Sequence, residues 1–457
     1  MSEIVVGADP VSVEDVEAVS LGGAVRLDAK RFVELDASAA SLTGPDAGVI
    51  DAVSDWLTGG HGDAGVEAFL AAHDTAVGER LTAPEARATL FARAVVLAQG
   101  GSGVRGSSVA AVLAALSEPP SARREGSLGA AGCPVLAGLF RELVLQRRVP
   151  SPTEKEALSW INGPSYAVGL GALAVARAQR VLHAADAALA LTAEAVRADT
   201  GAFVSEIADA RRHRGVAVVA AQLRTRLAGS SLAGPDRAPD AFSVRCAPTV
   251  HGAVHDAMAW IRAVVEAELS AVSDNPLWID GKLLRGGNVH GAPVAAPLDL
   301  LKIVLTQLAT ICERRVYRLT HGGLSGLQSF LVANSGLQSG LMLAQYTAAS
   351  LTSEAKGLCF PSAVDSIPTA QHLEDHVPFA ARAARGAIDV VDLVADVVAI
   401  ELLCAAQAVD LRGGGLAPGT QPTFDAIRQL VPMWTRDRVL YEAIAPIGLA
   451  VRAGSIP

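Results

Sequence analysis

Charge is scarce in this chain, and so are aromatic rings. Charged residues make up 19% of the 457 and aromatic residues 4%, against 51% apolar. A chain so rich in Ala, Val and Leu has a small surface share, as expected if much of its surface is buried between subunits. No run of 18 uncharged apolar residues is present, which argues against a membrane span. The best candidate, Ile388 to Leu403, carries Asp389, Asp392, Asp396 and Glu401. Their spacing reads as a long buried helix with one polar stripe, solvated or facing another subunit. The five cysteines, Cys133, Cys246, Cys312, Cys359 and Cys404, are odd in number and have no close pairs. That argues against a disulfide framework or a zinc ribbon and for a reducing compartment. The N-terminus lacks the basic and apolar regions of a signal peptide. With a net charge of −9 and no Lys/Arg run, nothing favours nucleic acid. A soluble, cytoplasmic, oligomeric protein is expected.

The length allows two or three domains. Residues 1–165 are mixed, with short periodic runs broken by Gly and Pro. Gly59-Gly60-His61-Gly62 and Gly100-Gly101-Ser102-Gly103 stand out there. Beyond them, Leu173 to Asp199 contains neither Gly nor Pro, which favours a long helix. Val250, Val254, Met258, Ile261, Val265 and Leu269 form a helical stripe, ended by Ser273-Asp274-Asn275-Pro276. Leu337 to Lys356 is another periodic run. The expected fold is mainly α: a long central helical bundle over 166–412, after a smaller mixed N-terminal domain over 1–165. Gly413-Gly414-Gly415 marks a hinge before a short C-terminal segment, 413–457.

Polar clusters interrupt the apolar helices. They include Gly126-Ser-Leu-Gly-Ala-Ala-Gly132, Asn162-Gly163, Ser243-Val-Arg245-Cys246 and Ala271-Val-Ser-Asp-Asn-Pro-Leu277. Further along stand Gly286-Gly-Asn-Val-His290, Phe330-Leu-Val-Ala-Asn334 and Val364-Asp-Ser-Ile-Pro-Thr369, followed by Glu374-Asp-His376. Each alone would be an ordinary turn. In this order and spacing, over roughly residues 70 to 440, the chain resembles the histidine/aromatic amino-acid ammonia-lyase family. The resemblance implies an ammonia-lyase/fumarase-like helical fold, a homotetramer, and active sites each assembled from three subunits.

In that family an Ala-Ser-Gly tripeptide cyclises to a methylidene-imidazolone electrophile. The Gly nitrogen attacks the Ala carbonyl, and loss of the Ser hydroxyl leaves an exocyclic methylene. Here the matching residues are Ala130-Ala131-Gly132, and the central one has no hydroxyl to expel. Cys133 cannot replace it, because the nucleophile would be Pro134 nitrogen, which carries no proton. Ser127 has a family counterpart that is not used. No cofactor is therefore expected. The family's Tyr-Gly-x-Asn-Thr-Gly-Phe-Gly loop corresponds to Asp55-Trp-Leu-Thr-Gly-Gly-His-Gly62, so Asp55 takes the place of its catalytic Tyr. A second Tyr is replaced by Phe242, and an Asp after the tripeptide by Cys133.

Other implied site residues are present. Arg245 matches the arginine that pairs with the substrate carboxylate, where a guanidinium fork fits a planar anion. Asn162 and Asn334 match polar lining residues. Glu374 and His73 match the histidine-specific branch, and Val289 stands where an aromatic residue is common. His61 and His73 could act as general bases. His251 and His255, at i and i+4, could bind a metal, but without a third ligand they read as structural; His372 and His376 flank Glu374. From these residues the leading expectation is an enzyme without the cofactor. It would perform acid/base elimination, addition, cyclisation or isomerisation on a small carboxylate through Glu374, His73, His61 or Asp55. Second comes a non-catalytic ligand-binding or partner subunit, mixed with an intact relative. A genuine ammonia-lyase is ranked last, because removing a barely acidic β-proton needs activation.

Overall fold

The computed structural model describes residues 3–7, 9–42, 62–238 and 240–457. Mainly helical architecture follows, as the sequence indicates. Four helices are long: Ser165–Ala195, Ala247–Leu269, Ala292–Thr320 and Ala380–Arg412. The apolar stripe from Val254 to Leu269 is buried along the second of these. The run expected from Leu337 begins its helix only at Met342, because Gly336 and Gly340 take left-handed φ values that break the turn. Among the described residues, one helix, Ala292–Thr320, is long and apolar enough to cross a membrane, and most of its apolar window is buried inside the protein. Ile388 to Leu403 belongs to the Ala380–Arg412 helix.

The chain divides into two compact units, and the division falls within each long helix. The first unit comprises residues 1–176, 261–299 and 361–388. It holds the three strand pairs found among the described residues: Ile4–Val6 with Val25–Leu27, Val77–Arg80 with Arg123–Glu125, and Leu277–Ile279 with Lys282–Leu284. The last pair is joined by Asp280-Gly281, both at positive φ, the two-residue turn whose twist suits a hairpin. Its central helix, Ala83–Ala98, starts at a capping box. Thr82 Oγ1 accepts from the Glu85 amide, and Glu85 accepts from the Thr82 amide. Glu154–Ile161 repeats the device with Thr153 and Glu156, then buries every residue from Lys155 to Ile161.

The second unit comprises 177–260, 300–360 and 389–457. Arg214–Leu227 lies against Ala247–Leu269 with backbones almost touching. A β-carbon on Gly215 would sit 2.0 Å from the Gly252 carbonyl oxygen. Asp392 and Asp396, two acids of the stripe, are held within the chain by Arg452 at 3.2 and 2.8 Å. Because no methyl group fits where these helices meet, Gly252→Ala is expected to cost about 1–3 kcal/mol. Thermal unfolding would read this as a lowered midpoint; an unchanged midpoint would refute the close contact.

Candidate active site

The first unit builds one constellation around the Gly126–Cys133 loop. The loop follows the Arg123–Glu125 strand, and Cys133 is the N-cap of the Pro134–Leu145 helix. Proline at the first helical position costs nothing there, since that amide has no partner within the helix. Ser127 ties the loop to itself: its hydroxyl accepts from the Gly129 amide at 3.2 Å and from the Cys133 thiol at 3.1 Å. The Cys133 amide donates to Ile161 carbonyl at 2.8 Å, and the Gly291 amide donates to Gly129 carbonyl at 3.0 Å. Gly129 sits at φ +82°, where a β-carbon would come 2.7 Å from that of Ala380. Only glycine satisfies both demands. Ala130 is buried, while Ala131 and Gly132 are half-buried. Burial pushes the Cys133 thiol up, partly countered by its bond to Ser127, so it is a neutral thiol and a poor nucleophile.

His73 ends the Gly62–His73 helix beside this loop. Its Nδ1 lies 2.8 Å from Phe69 carbonyl, an acceptor only, which fixes the proton on Nδ1 and leaves the Nε2 lone pair free. A β-carbon on Gly132 would stand 3.9 Å from that Nε2. Glu374 is tethered through its own segment: Oε2 accepts from Thr369 Oγ1 at 2.7 Å, and its carbonyl from the Thr369 amide at 2.9 Å. Among the described residues, no bond is made to the other Glu374 oxygen. Val289 precedes His290, whose Nε2 lies 3.4 Å from His376 Nδ1, with the rings stacked at 5.5 Å. Thus His376 pairs with His290 rather than with His372. The motif Gly286 to His290 contained that partner, but no spacing in sequence announces a contact across 86 residues. Asp55 and His61 lie outside the described residues.

Asn162 is part of a buried framework. Its Nδ2 donates to Asp274 Oδ1 at 3.1 Å and to Asn275 carbonyl at 2.7 Å. Asp274 also faces Lys155 at 3.4 Å and Arg93 at 3.6 Å, all three being buried. Burial raises the Asp274 carboxyl, but Lys155 and Arg93 more than reverse this and hold it at about 2. The adjoining Asn275 Oδ1 accepts from the Gly286 amide at 2.9 Å, anchoring the start of the segment that carries Val289 and His290. Sequence reading took Ser273-Asp274-Asn275-Pro276 as a helix-ending turn within one of the polar clusters. It gave Asp274 no partners and did not single out Arg93 or Lys155, which lie on other segments.

The second unit carries Phe242, Arg245 and Asn334. Phe242–Arg245 is a single helical turn. Arg245 is exposed, with its guanidinium carbon 4.8 Å from the centre of the Phe242 ring. Asn334 is exposed in a turn, its carbonyl accepting from the Leu337 and Gln338 amides. Behind the Arg245 turn runs a chain of buried polar groups. His255 Nε2 and His251 Nδ1 meet the two Asp186 oxygens at 2.8 and 2.7 Å. His251 Nε2 lies 3.2 Å from Arg315 Nη1, and Arg315 grips Glu401 with two bonds of 2.5 and 2.9 Å. The i, i+4 histidines are therefore spent on a carboxylate. Burial and Arg315 lower the His251 pKa against the opposing pull of Asp186. Burial raises Asp186, but the two histidines pull it down to about 2.

Long helices and a glycine-rich loop at a helix start, with a histidine beside it, set the frame in which the chain's relatives are compared. The comparisons make this specific. The profile of aromatic amino acid lyases matches residues 63–429. Histidine ammonia-lyase of Symbiobacterium thermophilum is 42% identical over 417 residues, covering 85% of this chain and 82% of that protein. Histidine ammonia-lyase from Trypanosoma cruzi superimposes with a TM-score of 0.90 at 32% identity, covering 100% of this chain and 94% of that one. Tyrosine aminomutase from Streptomyces globisporus does so at 0.92 and 30%, covering 100% and 98%. The chain belongs to the aromatic amino acid lyase family.

These findings correct the functional expectation. Ranking a cofactor-free enzyme of other chemistry first, a non-catalytic subunit second and an ammonia-lyase last let one loop outweigh the whole chain. Identity of 42% over 417 residues with a histidine ammonia-lyase supports the reading placed last.

The buried histidine generates a pH dependence. Its folded pKa lies below the ordinary 6.5, so the unfolded chain binds the extra proton first as pH falls. The stability is complete above the unfolded value and is lost below it, whereas that of Asp186 persists until below 3.8. The thermal midpoint should fall between pH 7 and 5, and less steeply in His251→Gln. Identical slopes in the two proteins would disprove the assignment.

Proposed function

We propose that this chain is a carbon–nitrogen lyase of the ammonia-lyase type, eliminating ammonia from histidine or an α-amino acid with a similar polar end. The observation that carries this reading is the 42% identity over 417 residues with a histidine ammonia-lyase. Arg245 would hold the substrate carboxylate; it is exposed and pairs with no carboxylate among the described residues. The Nε2 lone pair of His73, fixed by the Phe69 carbonyl, would take or hold a proton. Glu374, fixed through Thr369, would meet the polar end of the substrate. Asn162 would act by holding the framework around Asp274 in place. The working form would be a homotetramer, in the cytoplasm, in keeping with five free thiols.

The loop does not fit the ring chemistry of an Ala-Ser-Gly tripeptide. Ala131 has no hydroxyl to lose, the Ser127 oxygen is engaged twice, and the Cys133 thiol is followed by a proline nitrogen.

Purified protein incubated with L-histidine is expected to release ammonia together with the unsaturated acid. Arg245→Ala should lower kcat/KM by about 10²-fold or more, the loss of a charge-assisted fork on a carboxylate. Ala131→Ser is the decisive companion. Ammonia release by that variant alone, with none from the native chain on any aromatic amino acid, would sink the lyase reading for the native sequence.

A further inference from the structure

A single helical turn cannot hold itself in place. Fixing its residues costs more than its few internal bonds return, yet Phe242–Arg245 carries the guanidinium assigned above to the substrate carboxylate. The Ser243 carbonyl of that turn accepts from Arg315 Nη1 at 3.3 Å. Arg315 is fully buried, and its fork is completely employed. Nε and Nη2 take the two oxygens of Glu401, Nη1 also meets His251 Nε2, and Nη2 reaches Cys312 Sγ at 3.2 Å. The partners are themselves fixed. Glu401 accepts from Thr192 Oγ1 at 2.9 Å, and His251 is held by Asp186. From the middle of a chain of bonds that runs from His255 to Thr192, Arg315 thus reaches the backbone two residues before Arg245.

We propose that Arg315 is a positioning residue for substrate binding. It fixes the Ser243 carbonyl, and so the turn that presents Arg245, against a buried bidentate pair with Glu401. This rests on the reading of Arg245 as the carboxylate-binding residue. The guanidinium shape matters, because five donors in a rigid plane can serve Glu401, His251 and Ser243 together. An ammonium at the same place keeps the charge opposite Glu401 but cannot span all three. Buried charge here therefore serves geometry, since exchanging such a pair for apolar groups is often neutral or favourable for stability.

The test is a double-mutant cycle on the full chain, reading the dissociation constant for L-histidine by thermal shift or calorimetry, and KM apart from kcat. Arg315→Lys should weaken histidine binding about tenfold in the native background, and less than about twofold when Arg245 is already Ala. The loss should appear in KM more than in kcat. If Arg315→Lys does not fold, Glu401→Gln reads the same coupling, because it loosens the grip on the guanidinium while keeping a hydrogen-bonding partner. A lower melting temperature with unchanged histidine affinity would show a purely structural role and overturn the proposal. Equal losses in the native and Arg245→Ala backgrounds would overturn it too. If Arg245→Ala itself left histidine binding unchanged, the carboxylate assignment would fall, and this proposal with it. Weakening by Arg245→Ala without weakening by Arg315→Lys would overturn only the positioning role.

Discussion

Asp274 is a carboxylate with no access to water, and the loops of the first unit hang from it. Taking an ion out of water costs several kcal/mol even after relaxation, so it must be matched by charge and by hydrogen bonds. Lys155 and Arg93 supply the charge, and Asn162 and the Asn275 amide fill the other oxygen. The consequence is geometric. Asn162 ends the Glu154–Ile161 helix, and Asn275 reaches the Gly286 amide. One ion therefore ties the end of a buried helix to the segment that bears Val289 and His290. Removing a partner from such a set typically costs 3–5 kcal/mol, which is why these residues cannot drift independently.

The second unit repeats the principle with different chemistry. There the buried anions are Asp186 and Glu401, the buried cation is Arg315, and a neutral His251 stands between Asp186 and Arg315. A protonated His251 would face the guanidinium, so neutrality is what makes the arrangement affordable. In both units, a proposed site residue lies on a segment bonded to an ion that water does not reach. Rigid support of this kind would let an exposed group such as Arg245 meet a ligand with little ordering left to be done.

How much of this was legible in the sequence depended on the range of the interaction. The long helices declared themselves by spacing, because the 3.6-residue period is a local property. Helix Ala247–Leu269 was visible in six apolar residues, and the hairpin at Asp280-Gly281 lay in a dipeptide that the reading passed over. His251 and His255 were taken as structural for want of a third ligand, which agrees with their bonds to Asp186. Contacts between distant segments were not visible. Nothing in Lys155 or Asp274 separately marks them as partners 119 residues apart, and His290 gives no sign of His376.

The functional ranking failed for a related reason. A tripeptide is easily read and has a definite chemical meaning, so Ala131 in place of serine carried more weight than it could bear. Agreement with a histidine ammonia-lyase extends over 417 residues at 42% identity, far beyond one loop. His73 stands beside Gly132, and Arg315 beneath Ser243, through contacts that do not involve the Ala131 side chain. A missing hydroxyl removes one reagent. The groups proposed to orient a substrate's carboxylate, its proton and its polar end, Arg245, His73 and Glu374, stand on residues outside that tripeptide.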